Sequence, residues 1–296
     1  MTSEISRRTL LRGIAVTAVG LPVVGYLTGC STTDAGGGTS DASNVLERGR
    51  EQGFLRVAVF SEPPYTKLEP DGTVTGAEPD VLRAVCKELG IDDIKGIKVP
   101  YESMIPSLQA KRVDVIAAGL FMKQSRCAEV VYSEPVIVST ESFGVPPGNP
   151  NGILTVQDVL DNGDLKIAVL PGGFEEGILN SAGVPKGQQV SVNDNISGVE
   201  AVKTDRADAF FLPTLSLEDL EKTVGGFEIT PVVEDAPKTG SGAAWGKDQQ
   251  SAVDEYNVEL EKFKASDGFD EVMDKWGFDP DAARGVTARE LCQVEG

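Results

Sequence analysis

The 296-residue chain has no histidine. That removes the side chain that most often serves as general base and metal ligand near neutral pH, and it counts against hydrolase or zinc chemistry. Basic side chains are also scarce, 27 Lys and Arg against 46 Asp and Glu, for a formal net charge of −19. So acidic a surface repels a phosphate backbone, and no nucleic acid is expected as a partner. Long apolar runs are missing too. The stretch "IAVTAVGLPVVGYL", residues 14 to 27, falls short of the roughly 20 apolar residues that a membrane span needs. Cysteines number only four.

What is present begins with an address. "SRRTLLRG" pairs Arg7 with Arg8 ahead of the apolar stretch, and "LTGC" places small residues before Cys30. This order resembles a twin-arginine lipoprotein signal: residues 1–29 form the signal peptide and Cys30 is the lipidation site. The polar, Gly-rich segment that follows has nothing with which to pack a core, so residues 30–44 are expected to be a flexible tether. The mature chain would then hang on the outer face of the cytoplasmic membrane. Cys86, Cys127 and Cys292 remain, and an odd count outside the cell suggests one disulfide and one buried thiol. Cys86 lies beside the apolar face of a helix in "PDVLRAVCKELG". Cys127 with Cys292 is the preferred pair, which would tie the C-terminal tail to the first domain.

With 40% hydrophobic residues the chain can build cores for two domains. Strand and helix patterns alternate from residue 54. "FLRVAVF", "IKVPY" and "VDVIAAGLF" read as strands. "EPDVLRAVCKELG" and "SMIPSLQAKR" read as helices, the first with Val81, Leu82, Val85 and Leu89 on one face, Pro79 in its first turn and Gly90 at its end. "AEVVYSEP" reads as a further strand. The pattern restarts with "DLKIAVL", "PGGFEEGILNSAG", "QQVSV", "NISGVEAVKTDR", "ADAFFL" and "TLSLEDLEKTV". "TGSGAAWGK" could cross back, and two helices close the chain. Such βαβ runs favour two α/β lobes with mostly parallel sheets.

In sheets of this kind ligands bind beyond the carboxyl ends of the strands. Those ends carry Glu62 and Tyr65, then Tyr101, then Phe121 and Arg126, and in the second lobe Gly173, Phe174 and Glu175. A guanidinium such as Arg126 can grip a carboxylate with two parallel hydrogen bonds; equally, it could pair with Glu129 or Glu134 on the surface. Tyr65, Tyr101 and Phe121 could each be core, or together wall a box for a flat or cationic group. Glu62 could pair with that cation. The Gly-rich turn before Phe174 leads into a helix N-terminus, whose free N–H groups favour an anion. "RVDV" and "RADA", which precede strands, are read as structural. No nucleophile–base pair is visible, and no catalytic residue, metal or cofactor is expected.

The chain from about residue 50 to 290 resembles the family 3 extracellular solute-binding proteins of ABC importers. The resemblance rests on "FLRVAVFSEPPYTKLEPDGTVTGAEPDVLRAVCKELG", "SMIPSLQAKRVDVIAAGLFMKQSRCAEVVYSEPV", "GVEAVKTDRADAF" and "WGF". It implies a periplasmic-binding-protein-like fold: lobe 1 from residues 45–141 and 239–296, lobe 2 from 142–238, and two hinge strands that let the lobes close on a small solute. In the family Arg126 matches the arginine that holds the ligand carboxylate. Amino-acid-binding members typically carry a small hydroxyl residue in place of Phe121 and an Asp in place of Pro213, and the loss of that Asp argues against a primary ammonium. The pieces "SEPPYTKLEPDGTVTGAEPDV", "MKQSRCAEVVYSEP", "GNPNG", "TGSGAAWGK" and "ARELC" are most similar to the ectoine/hydroxyectoine-binding subunits. That likeness implies Arg126 on the carboxylate, Tyr65, Tyr101 and Phe121 around the amidinium ring, and Glu62 on a ring N–H. The expected partners are this solute, ABC permease subunits and, through the lipid, the membrane; the chain itself is expected to be a monomer. An amino-acid, opine or betaine receptor, or a dehydratase-like enzyme using Glu62 or Glu175, are the alternatives.

Overall fold

Residues Phe54–Val59 bury Leu55, Val57, Ala58 and Val59, so this strand is covered on both faces, as a central parallel strand must be. The computed structural model describes residues 44–295; the signal segment, Cys30 and nearly all of the expected tether lie outside them. Phe54–Val59 pairs in parallel with Asp93–Lys98 on one side and Val115–Ile116 on the other. Ala244–Trp245 then returns from far along the chain and adds antiparallel between Val115–Ile116 and Val131–Tyr132. The helix Ala77–Glu88 packs its Val81, Leu82, Val85 and Cys86 face inward, and Cys86 stays a buried thiol. Gly76, at φ 122°, leads into it where any Cβ would run into the Tyr65 carbonyl.

A second sheet repeats the plan. Gln189–Ser191, Ile167–Val169 and Ala209–Pro213 run parallel, and Glu141–Val145 lies antiparallel between Ala209–Pro213 and Glu228–Ile229. The sheets are joined through Ile137–Ser139 and Thr239–Ser241, which pair antiparallel as a two-stranded hinge. Gly240 has no room for a side chain, because a Cβ there would meet the Ile137 carbonyl across that hinge. No helix among the described residues is long and apolar enough to cross a membrane.

Several elements differ from the sequence reading for identifiable reasons. "VDVIAAGLF" pairs as a strand only over Val115–Ile116, because the chain bends at Ala118 and Gly119, where Gly119 takes φ 67°. Beyond that bend Met122 N–H donates to Gly240 O at 2.8 Å. "IKVPY" leaves its strand at Lys98, since Pro100 has no N–H for the ladder, and Tyr101 opens a 3₁₀ turn. The helices Val45–Gln52 and Val156–Asp161 and the hairpin Lys67–Leu68/Val74–Thr75 are additions. The helix Gln250–Lys264 buries Val253, Tyr256 and Leu260, with Phe263 only partly covered.

Two aspartates do the same job in the two sheets. Asp114 accepts from Arg56 N–H at 2.8 Å while its own N–H donates to Arg56 O; Asp208 accepts from Lys166 N–H at 2.7 Å and donates back to Lys166 O. Asp114 also takes the guanidiniums of Arg48 at 2.6 Å and Arg56 at 2.7 Å. Burial pushes its carboxyl up, but the hydrogen bonds from Arg56 and Arg48 outweigh that and hold its pKa below the ordinary carboxylate value. Stability drawn from a depressed pKa is present above the ordinary Asp value and lost as pH falls through the folded one. Asp114→Asn should therefore cost about 2 kcal/mol in urea unfolding at pH 7, and the gap from the parent should narrow in acid below pH ~4.

Candidate ligand-binding site

The loop after the first strand is closed on itself by reciprocal backbone bonds between Glu62 and Thr66, at 2.8 and 3.0 Å. This holds Tyr65 inward, where its hydroxyl meets Ser139 Oγ of the hinge at 2.6 Å and its ring packs edge-on against Phe278 of the "WGF" motif, centroids 5.1 Å apart. Phe121 stands edge-to-face to Tyr65 at 5.5 Å and to Phe174 of the second lobe at 5.8 Å. The Tyr101 hydroxyl donates to Gly119 O at 2.9 Å. Gly119 is in turn fixed by Glu78, a buried carboxyl that accepts from Gly119 N–H at 2.9 Å and from Ser241 Oγ. Burial raises the Glu78 pKa to about 7. Thus the aromatic walls hang on the hinge and on one helix start.

Glu62, Tyr65, Tyr101, Phe121, Gly173 and Glu175 line one closed cavity at the lobe seam, together with Gly119, Leu170, Leu212 and Pro213. Water centres have about 10 Å³ of it, roughly what one water needs. The lobes touch across it: Ser216 Oγ of the second lobe donates to Glu62 Oε1 at 2.9 Å. A ligand can enter only as the lobes part.

Arg126 is buried on the short helix Gln124–Cys127, but it does not line this cavity. It lines an adjoining open groove with Tyr101, Lys123 and Gly172. Nη1 donates to Phe121 O and Nη2 to Gly172 O, both at 2.7 Å, and the guanidinium lies 5.5 Å from the Tyr101 ring centroid. It therefore bridges the two lobes rather than pairing with Glu129 or Glu134. Its Nε–H and the second hydrogens of Nη1 and Nη2 remain for a further acceptor. The helix that carries it is tied to the tail by the Cys127–Cys292 disulfide and by Gln124 N–H to Val294 O at 2.9 Å.

The helix N-terminus at Phe174–Ala182 is not left open for an anion, as the Gly-rich turn suggested. Gly172 N–H donates to Glu176 Oε2 at 2.8 Å, and Glu175 folds onto its own backbone N–H. The chain supplies its own anions there. Phe174, the first helical residue, faces Phe121, and its ring has Lys123 Nζ 5.9 Å from its centroid.

Sequence reasoning missed Glu141. It is only 1% exposed, and it is the register partner of Pro213, the place where the sequence reading found a carboxylate missing. A charged residue opening the otherwise uncharged strand "ESFGV" was the available signal. Glu62, Glu141 and Glu175 thus share the seam. Burial, then the Glu175 charge, raises the Glu62 pKa to about 8, against the pull of the Ser216 bond. Burial, then Glu175, raises Glu141 well above the usual range. Burial also raises Glu175, with Arg126 and Lys123 pulling the other way. Lys123 is lowered to about 8, first by burial and then by Arg126. The site can hold a cation among carboxyls at one end and an anion at Arg126 at the other. Among the described residues no group of His, Cys, Asp or Glu is suited to hold a metal ion.

The model of the bacterial extracellular solute-binding proteins, family 3, matches residues 55–280. The chain is 31% identical over 259 residues to a probable amino-acid ABC transporter periplasmic-binding protein, y4tE, of Sinorhizobium fredii, covering 84% of this chain and 86% of that one. Among solved structures, EhuB in complex with hydroxyectoine aligns with a TM-score of 0.81 at 41% identity, over 84% of this chain and 98% of that one. The ancestral amino-acid-binding protein AncCDT-1, a precursor of cyclohexadienyl dehydratase, shares the fold at 23% identity and a TM-score of 0.70, over 80% of this chain and all of that one. With two lobes on a two-stranded hinge and a family match across both, the chain belongs to family 3 of the bacterial extracellular solute-binding proteins.

Proposed function

We propose that this family 3 receptor captures ectoine or hydroxyectoine and delivers it to the permease of an ABC importer. The observation that carries the reading is a cavity of buried carboxyls and edge-to-face aromatic rings at the lobe seam, with a buried guanidinium in the groove that adjoins it. Ectoine is a flat cyclic amidinium with a carboxylate. Its ring would lie against Tyr65, Tyr101 and Phe121, its N–H groups would donate to Glu62 and Glu175, and its carboxylate would take the free N–H groups of Arg126. Phe174 would cover the ring from the second lobe, and Gly173 would allow the backbone to approach. The likeness to EhuB with its hydroxyectoine supports the same reading. The ligand is bound and released without reaction, because nothing at the site pairs a nucleophile with a base. We further propose that Cys30 is lipidated and tethers the receptor to the outer face of the cytoplasmic membrane.

Glu141 favours a second reading, an amino-acid ligand. It puts a carboxylate back beside Pro213, where a primary ammonium would need one, and y4tE is named for amino acids.

Isothermal titration against ectoine, hydroxyectoine, glycine betaine, opines and amino acids separates the two. Micromolar or tighter binding of an ectoine is expected, with the ligand recovered unchanged by NMR. Arg126→Ala should weaken it about 100-fold or more and Phe121→Ala about tenfold. A preference for arginine or glutamine, or no heat with either ectoine, would rule the ectoine reading out.

The Glu62 proton makes opposite predictions for binding and stability. Ectoine affinity should rise from pH 6 to 9 as the carboxyl near pKa 8 ionises. The ligand-free fold holds that proton more tightly than the unfolded chain, so its melting temperature should fall over the same window, and Glu62→Gln should flatten the fall. Finally, Cys30→Ser should move the receptor from the membrane fraction to the soluble one in a cell fractionation; an unchanged membrane association would defeat the anchor.

A further inference from the structure

Glu141 follows the hinge strand Ile137–Ser139 by two positions and opens the strand Glu141–Val145. Directly opposed residues of an antiparallel pair project from the same face. Its opposite is Pro213, which lines the cavity. Glu141 therefore projects to the cavity side of the second sheet. It is 1% exposed, and among the described residues no N–H or hydroxyl donor reaches either of its carboxyl oxygens; the group within hydrogen-bonding reach is the Glu175 carboxyl.

Nearby hydroxyls could have served it and do not. Thr214 Oγ1 is engaged with Thr140 Oγ1 at 3.0 Å and with Ser142 Oγ at 2.9 Å, and Ser139 is engaged with Tyr65. The groups that do face it are acidic: Glu175 from the helix Phe174–Ala182 and Glu62 from the loop after the first strand, with the Tyr65 hydroxyl nearby. Arg126 and Lys123 act on Glu175. A buried carboxyl without a donor is costly unless it keeps a proton or gains a cation.

We propose that Glu141 is a ligand-binding residue that receives the cationic group of the solute beside the hinge, displacing a proton held between it and Glu175. This rests on the reading that the cleft takes a zwitterion, and not on that zwitterion being an ectoine. The step balances: the ligand's cationic group takes the place of one proton, which leaves to solvent, and the ligand's carboxylate is met by the Arg126 guanidinium.

The test is calorimetric titration of the wild type, Glu141→Gln and Glu141→Ala at pH 7 with ectoine, hydroxyectoine, glycine betaine and arginine. Each titration is run in two buffers of different ionisation enthalpy. The tightest wild-type ligand should release about one proton more than Glu62 alone accounts for. Glu141→Gln should bind it about tenfold or more weakly with proton release falling by about one, while its ligand-free melting temperature stays level or rises. Glu141→Gln affinity within about twofold of wild type, or undiminished proton release, overturns the proposal and leaves the ectoine reading intact. Melting temperatures several degrees lower in both variants would make Glu141 structural and also overturn it. If arginine or betaine binds tightest and Glu141→Gln loses it, the ectoine reading falls and the assignment of Glu141 stands. If none of the four binds the wild type, both fall.

Discussion

Three carboxyl groups, Glu62, Glu141 and Glu175, are buried at one seam where water cannot screen them. Like charges in that setting cannot all ionise, so protons, Arg126 and Lys123, or an incoming cation must offset them. The architecture brings them together from three sources: a loop of the first lobe, the residue after the hinge, and a helix start of the second lobe. Glu62 joins the other two only when the lobes meet. On the proposed reading, closure, protonation and ligand binding are coupled.

Arg126 sits on the other side of the same balance. In the closed form its guanidinium holds two neutral carbonyls, one from each lobe, at Phe121 and Gly172. A charged donor between neutral acceptors is incompletely compensated, and a carboxylate is the stronger partner. The residue therefore has a place in closure and, as proposed, in recognition. The aromatic rings supply shape between the two poles. Their mutual edge-to-face contacts leave no slack in the closed cavity.

The sheets were legible because buried parallel strands and amphipathic helices announce themselves by pattern, as Phe54–Val59 and Ala77–Glu88 do. Tyr65, Tyr101 and Phe121 were legible because they stand at strand ends, where this kind of sheet exposes its cleft. The length of the strand before Phe121 was not, since it ends at the bend Ala118–Gly119 and its antiparallel neighbour Ala244–Trp245 returns from beyond the second lobe. Glu141 was illegible for a related reason. Its face is decided by its register with Pro213, and only that pairing turns a glutamate beside hydroxyl residues into a buried one. The same holds for Gly172 as the acceptor of Arg126. Contacts that form only between lobes leave no periodic trace in either.

The disulfide between Cys127 and Cys292 joins residues 165 apart and anchors the very helix that carries Arg126. Such a bond persists in an oxidising environment and is reduced in the cytosol. Inside the cell, the arginine's wall would be held from behind by backbone bonds to the tail and hinge alone. Outside, it gains a covalent brace, so the compartment itself finishes the rigid half of the receptor.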